Sequence, residues 1–307
     1  VEVCVLREVG GRVVYLSKLG MQTVLKSDPE LWGEPESERP AASPTADFKT
    51  YNGHIVWVGP QSGWWLQQTA NRRRLQERAV WPPDPYLIYG NFEIAEQRPD
   101  YLKLTGPDSP VSGVRLTKEI TLKESGQVLF EVNAENIRRE PVTWDLWMNT
   151  RMDAFDPFYV PADSSDLEWL GMQPSDEREI TPYQFIDGYF TFNPSEPDSS
   201  KLMQVQKAYL TPRDPYMAAF HKDQMLIIRF DEFERDVMHA EHTLVEIYNV
   251  VRRGRSETLL ELEVHGPYKT LQPGESMSLL ETWTVFSAKE AQSRKQQIKM
   301  IQNAMGS

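Results

Sequence analysis

Near the end of the chain, Leu260-Glu261-Leu262-Glu263-Val264-His265 alternates three aliphatic side chains with three ionisable ones. Successive side chains on a strand point to opposite faces. An extended Leu260–His265 therefore sends Glu261, Glu263 and His265 to one side and Leu260, Leu262 and Val264 into a core. Two carboxylates and an imidazole on one open face can exchange protons near neutral pH, although the same alternation also describes the solvated face of an ordinary strand. A second run, TWDLWMNTR, places Thr143, Asp145, Trp147, Asn149 and Arg151 on one face and Trp144, Leu146 and Met148 on the other. An indole stacks on the apolar face of a pyranose, and carboxylate, amide and guanidinium groups satisfy its hydroxyls, so this face suits a sugar. The alternative is a half-buried tryptophan beside an Asp145–Arg151 surface ion pair.

Other residues invite chemistry less directly. His54 stands in YNGHIVWVGPQSGWW, ahead of Gln61, Trp64 and Trp65 in a glycine-rich loop. Loops at the rim of a β scaffold commonly carry binding groups. His54 is thus a candidate general acid, with a hydrogen-bonded structural role as the alternative, and Gln61 and Trp64 are candidate substrate contacts. His239, Glu241 and His242 lack the spacing of a helical HExxH site, and Asp153, Asp156, Asp163 and Asp166 do not follow a calcium-loop order. No metal and no cofactor are expected. Cys4, the lone cysteine, alternates with Val3 and Val5 and reads as a buried structural thiol.

The elements that must position these residues are strands. Runs such as 12–16, 54–58, 113–122, 128–136, 143–152, 224–230, 243–251, 258–264 and 276–286 are apolar or alternating and are bounded by Gly, Pro, Asp or Asn. No long succession of alternating helices and strands occurs, which favours an antiparallel sandwich over a parallel doubly wound sheet. Residues 34–47 read as an exposed loop and 64–80 as a short helix or lid. Residues 288–305 form the one clear helix, with Ser287 as its cap. The expected organisation is one all-β domain over 1–286 and a helical tail over 287–307. A net charge of −12 disfavours nucleic acid or an anionic membrane as the main partner. No apolar stretch is long enough to span a bilayer as a helix and no signal peptide is visible, which leaves the compartment and the oligomeric state open.

Three segments together resemble the galactose mutarotase-like (aldose 1-epimerase-like) superfamily, and within it the DUF4380-type domain. They are the opening VLREVGGRVVYLSKLGMQTVL with its Gly10-Gly11-Arg12 turn, the central NIRREPVTWDLWMNT, and the closing LELEVHGPYKTLQPGESMSLLETW. The resemblance spans most of 1–286 and implies a large antiparallel β-supersandwich with a sugar site on its concave face. In enzymes of that superfamily a late glutamate takes the proton of the anomeric hydroxyl and a central histidine protonates the ring oxygen. Glu263 matches the glutamate's setting, whereas Trp147, Met148 and Asn149 stand where the histidine motif belongs. The resemblance therefore implies an aldose or uronate epimerase or mutarotase with Glu263 as base and His54 or His265 as acid, acting on a mono- or oligosaccharide. A non-catalytic carbohydrate-binding or accessory protein, using Trp147, Asp145, Asn149 and Arg151 as its recognition face, is the alternative; Glu261 is a further candidate substrate contact. A polysaccharide lyase stands behind both, by fold analogy alone.

Overall fold

The computed structural model of the chain describes residues 1–254 and 258–306. Among the described residues twenty strands follow one another with few helices between them. The first seven are β1 (Glu2–Leu6), β2 (Arg12–Ser17), β3 (His54–Gly59), β4 (Glu93–Arg98), β5 (Tyr101–Thr105), β6 (Val114–Leu122) and β7 (Gln127–Asn136). The central set comprises β8 (Val142–Met152), β9 (Phe158–Pro161), β10 (Leu167–Leu170), β11 (Arg178–Ile180), β12 (Tyr183–Ile186) and β13 (Tyr189–Phe192). The last are β14 (Met203–Leu210), β15 (Tyr216–His221), β16 (Gln224–Phe230), β17 (Val245–Arg252), β18 (Leu259–His265), β19 (Lys269–Leu271) and β20 (Ser276–Ser287).

They form two ten-stranded sheets. One runs β1-β2-β3-β8-β18-β17-β14-β10, with β11 added to β14 and β19 to β8. The other runs β12-β13-β9-β15-β16-β20-β7-β6-β5-β4. Apart from β11 on β14, every pairing is antiparallel, as expected for an all-β supersandwich. The Gly10–Gly11 turn between β1 and β2 needs glycine at both positions, with φ of 76° and 55°; a Cβ at Gly10 would stand 2.6 Å from the Ile88 carbonyl oxygen.

The main core lies between the sheets. Leu146 and Met148 of β8 and Leu260, Leu262 and Val264 of β18 are buried in one cluster with Phe130, Val132, Leu279 and Trp283 of the opposite sheet. Phe130 and Trp283 stack with centroids 5.0 Å apart. Burying each such side chain contributes roughly 1.5–3 kcal/mol, so the apolar half of the β18 alternation holds the strand in place. A smaller cluster sits on the second sheet's other face, where Ile298 and Ile301 of the C-terminal helix meet Tyr159, Phe220, Met225 and Ile227.

Two local expectations are corrected and one is narrowed. The C-terminal helix spans Arg294–Met305 and is capped by Ser293 and Gln296 acting reciprocally; Ser287 still pairs in β20, opposite Gln224. Within 64–80 only Arg72–Gln76 is α-helical, because Trp64 and Trp65 are both buried and the chain turns there to send their indole N–H groups to the Val58 and Pro82 carbonyls. Cys4 is exposed: β1 is an edge strand, and the thiol points away from the side that Val3 and Val5 bury. No helix among the described residues is long and apolar enough to cross a membrane.

Candidate functional site

The site is built by register. On β18, Glu261 pairs with Arg151, Glu263 with Asn149 and His265 with Trp147 of β8. On the other flank Glu246 of β17 stands opposite Glu263, and Tyr248 opposite Glu261. One strand further, Lys207 and Tyr209 of β14 face Tyr248 and Glu246. Across β8, Trp57 of β3 pairs with Trp147 and Gly59 with Asp145. Paired residues share a face, so a single sheet face collects these polar and aromatic groups while the opposite face supplies the core.

This face is not open to water over its whole width. Trp57, Trp64 and Trp81 cluster over it, and Trp147 packs against Trp57 and Trp64 at centroid distances of 4.9 and 5.9 Å. Two cavities remain. The larger, about 540 Å³, is walled by Trp147, Arg151, Glu261, Glu263, Lys207 and Tyr248, with Trp57, Trp81 and Gln61 at its margins. The second, about 470 Å³, shares Gln61, Trp147 and Lys207 and adds His242, Glu246 and Tyr209.

Of the residues anticipated from sequence, Glu263, Trp147, Arg151, Glu261 and Gln61 meet at the larger cavity. Asn149 and Asp145 lie on the same face, buried beneath it: the Asn149 amide donates to Glu263 Oε1 at 2.5 Å, and Asp145 Oδ2 meets His242 Nδ1 at 2.7 Å. His265 lies on that face too but does not reach either cavity wall; it is buried beneath Trp147, 4.9 Å between ring centroids, and stacks on His242 at 4.0 Å. Trp64 is buried against Trp57 and Trp147 and lines neither cavity.

His54 does not join them. Its partner in register is Thr150, so it shares the inward face with Val56 and Val58 and sits between the sheets. There Nδ1 meets Thr150 Oγ1 at 2.9 Å, and the ring packs edge-on against Phe130 and Trp283. Burial, followed by the Lys118 and Arg12 charges, pushes its pKa well down and keeps the ring neutral.

Charges at the site are paired across strands. Burial opposes the Glu246 charge, but Lys207, in direct ion-pair contact, acts with His265 and Glu263 to outweigh it and holds that carboxyl well below the usual range. Burial likewise opposes the Lys207 ammonium, and the ionised Glu246 holds it charged. For Glu263, burial and the Glu246 and Glu261 charges act together and push its pKa well up. The two adjacent carboxyls therefore part company, one ionised and one holding its proton. Arg151 Nη2 and Glu261 Oε1 pair at 2.8 Å beside them. Burial and then His242 bring the His265 pKa down to about 4; burial also works against His242, but Asp145 raises it.

Glu246, Lys207 and His242 completed a site that the sequence outlined only in part. Glu246 and Tyr248 alternate with Val245 and Ile247 just as the β18 residues do, so a strand-by-strand search for buried alternation finds them. Lys207 alternates with Ala208 in the same way. His242 has no periodic signal, because it comes from a turn ahead of β17.

A family model described as "Domain of unknown function (DUF4380)" matches residues 1–286. Among functionally curated proteins no sequence match was found. Solved structures share the fold at low identity. The Slr1438 protein of Synechocystis sp. PCC 6803 superposes with a TM-score of 0.56 at 13 % identity, covering 93 % of this chain and 91 % of its own. A galactose mutarotase related enzyme from Lactobacillus acidophilus gives 0.53 at 8 %, covering 94 % and 95 %. A galactose mutarotase-like protein from Lactobacillus casei gives 0.54 at 10 %, covering 91 % and 95 %. The architecture is that of the galactose mutarotase-like fold.

Proposed function

We propose that this chain, which belongs to the DUF4380 family, binds a mono- or oligosaccharide in the larger cavity and opens its hemiacetal ring, as an aldose or uronate epimerase or mutarotase does. The observation that carries this reading is the position of Glu263: a buried carboxyl at the wall of a 540 Å³ cavity that is also walled by Trp147 and ringed by Arg151, Glu261, Lys207 and Tyr248. The indoles of Trp57, Trp81 and Trp147 supply stacking surface for a pyranose, and the charged pairs supply donors and acceptors for its hydroxyls.

In this reading Glu263 first releases the proton that burial and the neighbouring carboxylates make it hold, and as the carboxylate it takes the proton of the anomeric hydroxyl. As that proton leaves, the bond from the anomeric carbon to the ring oxygen breaks, the anomeric C–O becomes a carbonyl, and the ring oxygen takes up a proton from the Lys207 ammonium, which recovers one as the ring recloses. Reclosure on the other face of the carbonyl gives the other anomer. Among the described residues no histidine stands at the wall of the larger cavity, so a donor other than imidazole serves the ring oxygen. Lys207, on the wall of both cavities, is the cation placed to hydrogen-bond it.

The test is anomer exchange followed by NMR over a panel of aldoses and uronates, with Glu263→Gln alongside. Acceleration by the native chain and its loss in the variant is the expected result. A second reading, binding without conversion, is favoured by the 1 % exposure of Glu263 and its existing hydrogen bond from Asn149. Sugars that bind yet exchange no faster than in buffer would establish it.

A further inference from the structure

Beneath Trp147, bordering the Lys207–Glu246 pair, lies a second constellation. Asp145 of β8, His242 from the turn before β17 and His265 of β18 each bring one ligand atom within 4.8 Å of the others, and all three are buried. Two of them have unspent valence. Asp145 Oδ1 accepts no hydrogen bond, and neither ring nitrogen of His265 makes one, its Nε2 only approaching Glu246 Oε2 at 3.4 Å. Leaving such groups buried and unpaired is unfavourable, and a bound ion would satisfy them.

The backbone also makes room. A Cβ built on Gly59 would stand 2.4 Å from both Asp145 Oδ1 and His242 Cε1, so these two groups approach only because that position carries no side chain.

We propose that Asp145, His242 and His265 bind a divalent first-row transition ion of the zinc type. Two imidazoles and a carboxylate are the ligand set such ions take, and three protein ligands leave a position open for water or a ligand oxygen. With metal–ligand bonds of about 2.0–2.1 Å the ligand atoms must draw closer together, and the His265 ring has only its 3.4 Å approach to Glu246 to give up in turning. The neighbouring trio Glu246, Glu263 and His265 is the poorer seat, because the Lys207 ammonium already occupies Glu246 and would repel a second cation. An ion reaches the site from the smaller cavity, whose wall includes His242. The chain spacing of His239 and His242 is irrelevant here, since the ligands converge from three separate segments.

Isothermal titration of chelator-treated protein with Zn²⁺ and, separately, Co²⁺ in the absence of sugar tests this, with melting temperature and the Co²⁺ visible spectrum as further readouts. One ion per chain, a raised melting temperature and a Co²⁺ spectrum of low-coordinate type are expected. Affinity should fall at least tenfold in His242→Gln and in Asp145→Asn, and stay unchanged in His239→Gln, whose side chain lies outside the trio. Absence of binding to the folded protein, or binding that survives His242→Gln in a variant with a native circular dichroism spectrum, overturns the proposal. Because no sugar is present, neither outcome depends on whether the larger cavity turns over a substrate.

Discussion

Glu263 stands directly across from Glu246 on adjacent strands, both carboxyls buried, with the Lys207 ammonium on Glu246 and the Asn149 amide on Glu263. Breaking a buried ion pair from one side strands a charge, which typically costs about 3–5 kcal/mol. Lys207→Met should destabilise the fold by that order in urea unfolding, and Lys207→Met/Glu246→Gln should regain more than half of the loss. A fully stable single variant would show that the pair is solvated instead.

For the proposed chemistry, Glu263→Gln keeps shape and hydrogen bonding but cannot exchange a proton. Turnover should fall roughly 10²-fold or more while sugar affinity changes little. Equal rates in the two proteins would remove Glu263 from the mechanism.

Stacking is best probed at Trp81, which is 45 % exposed and lines the larger cavity. Trp81→Ala should weaken sugar binding by about 0.5–1.5 kcal/mol, up to roughly tenfold, with the turnover of bound sugar retained. Trp147→Ala is a poorer probe, since truncating that buried indole also costs about 3–5 kcal/mol of stability. Unchanged affinity in Trp81→Ala, measured calorimetrically, would place the sugar elsewhere.

Gly59→Ala drives a methyl group into Asp145 and His242. A loss of about 1–3 kcal/mol in stability is expected from the overpacking, with displacement of the dyad visible as a shifted His242 imidazole resonance. An unperturbed resonance would show that the turn carrying His242 yields freely.

In the inter-sheet core, burial pushes the Glu281 carboxyl up to about 8 despite the bond it accepts from the Trp283 indole. A carboxyl raised above its unfolded value near 4.3 binds the extra proton in the folded state, so its contribution is complete below that value and is lost as pH rises towards 8. Over this window native stability should decline by up to about 1.4 kcal/mol per pH unit relative to Glu281→Gln. Burial, aided by Arg12, lowers nearby Lys118 to about 7, which works in the opposite sense above that pH, so the difference between the two proteins is the quantity to measure. Parallel stability–pH curves would show Glu281 to be ionised in the fold.

Local pattern alone set the longer strands, among them β3, β6, β7, β8, β16, β17, β18 and β20, though not β14 with Lys207, and within β8 and β18 it set which side chains travel together: a period of two is a local property, so Asp145, Trp147, Asn149 and Arg151, and likewise Glu261, Glu263 and His265, had to share faces once extended. It also determined the apolar partners of those faces, since Leu260, Leu262 and Val264 could go nowhere but a core. Tertiary structure decided the rest. In His54-Ile55-Val56-Trp57-Val58 both phases are apolar enough to bury, and only the register opposite β8 turned His54 inward and Trp57 towards the site. Pairing between β18 and β17 brought Glu246 to Glu263, and the turn before β17 brought His242 to Asp145, 97 residues away in the chain. Contacts of that separation are set by the closing of a whole sheet, and no local pattern of residues encodes them.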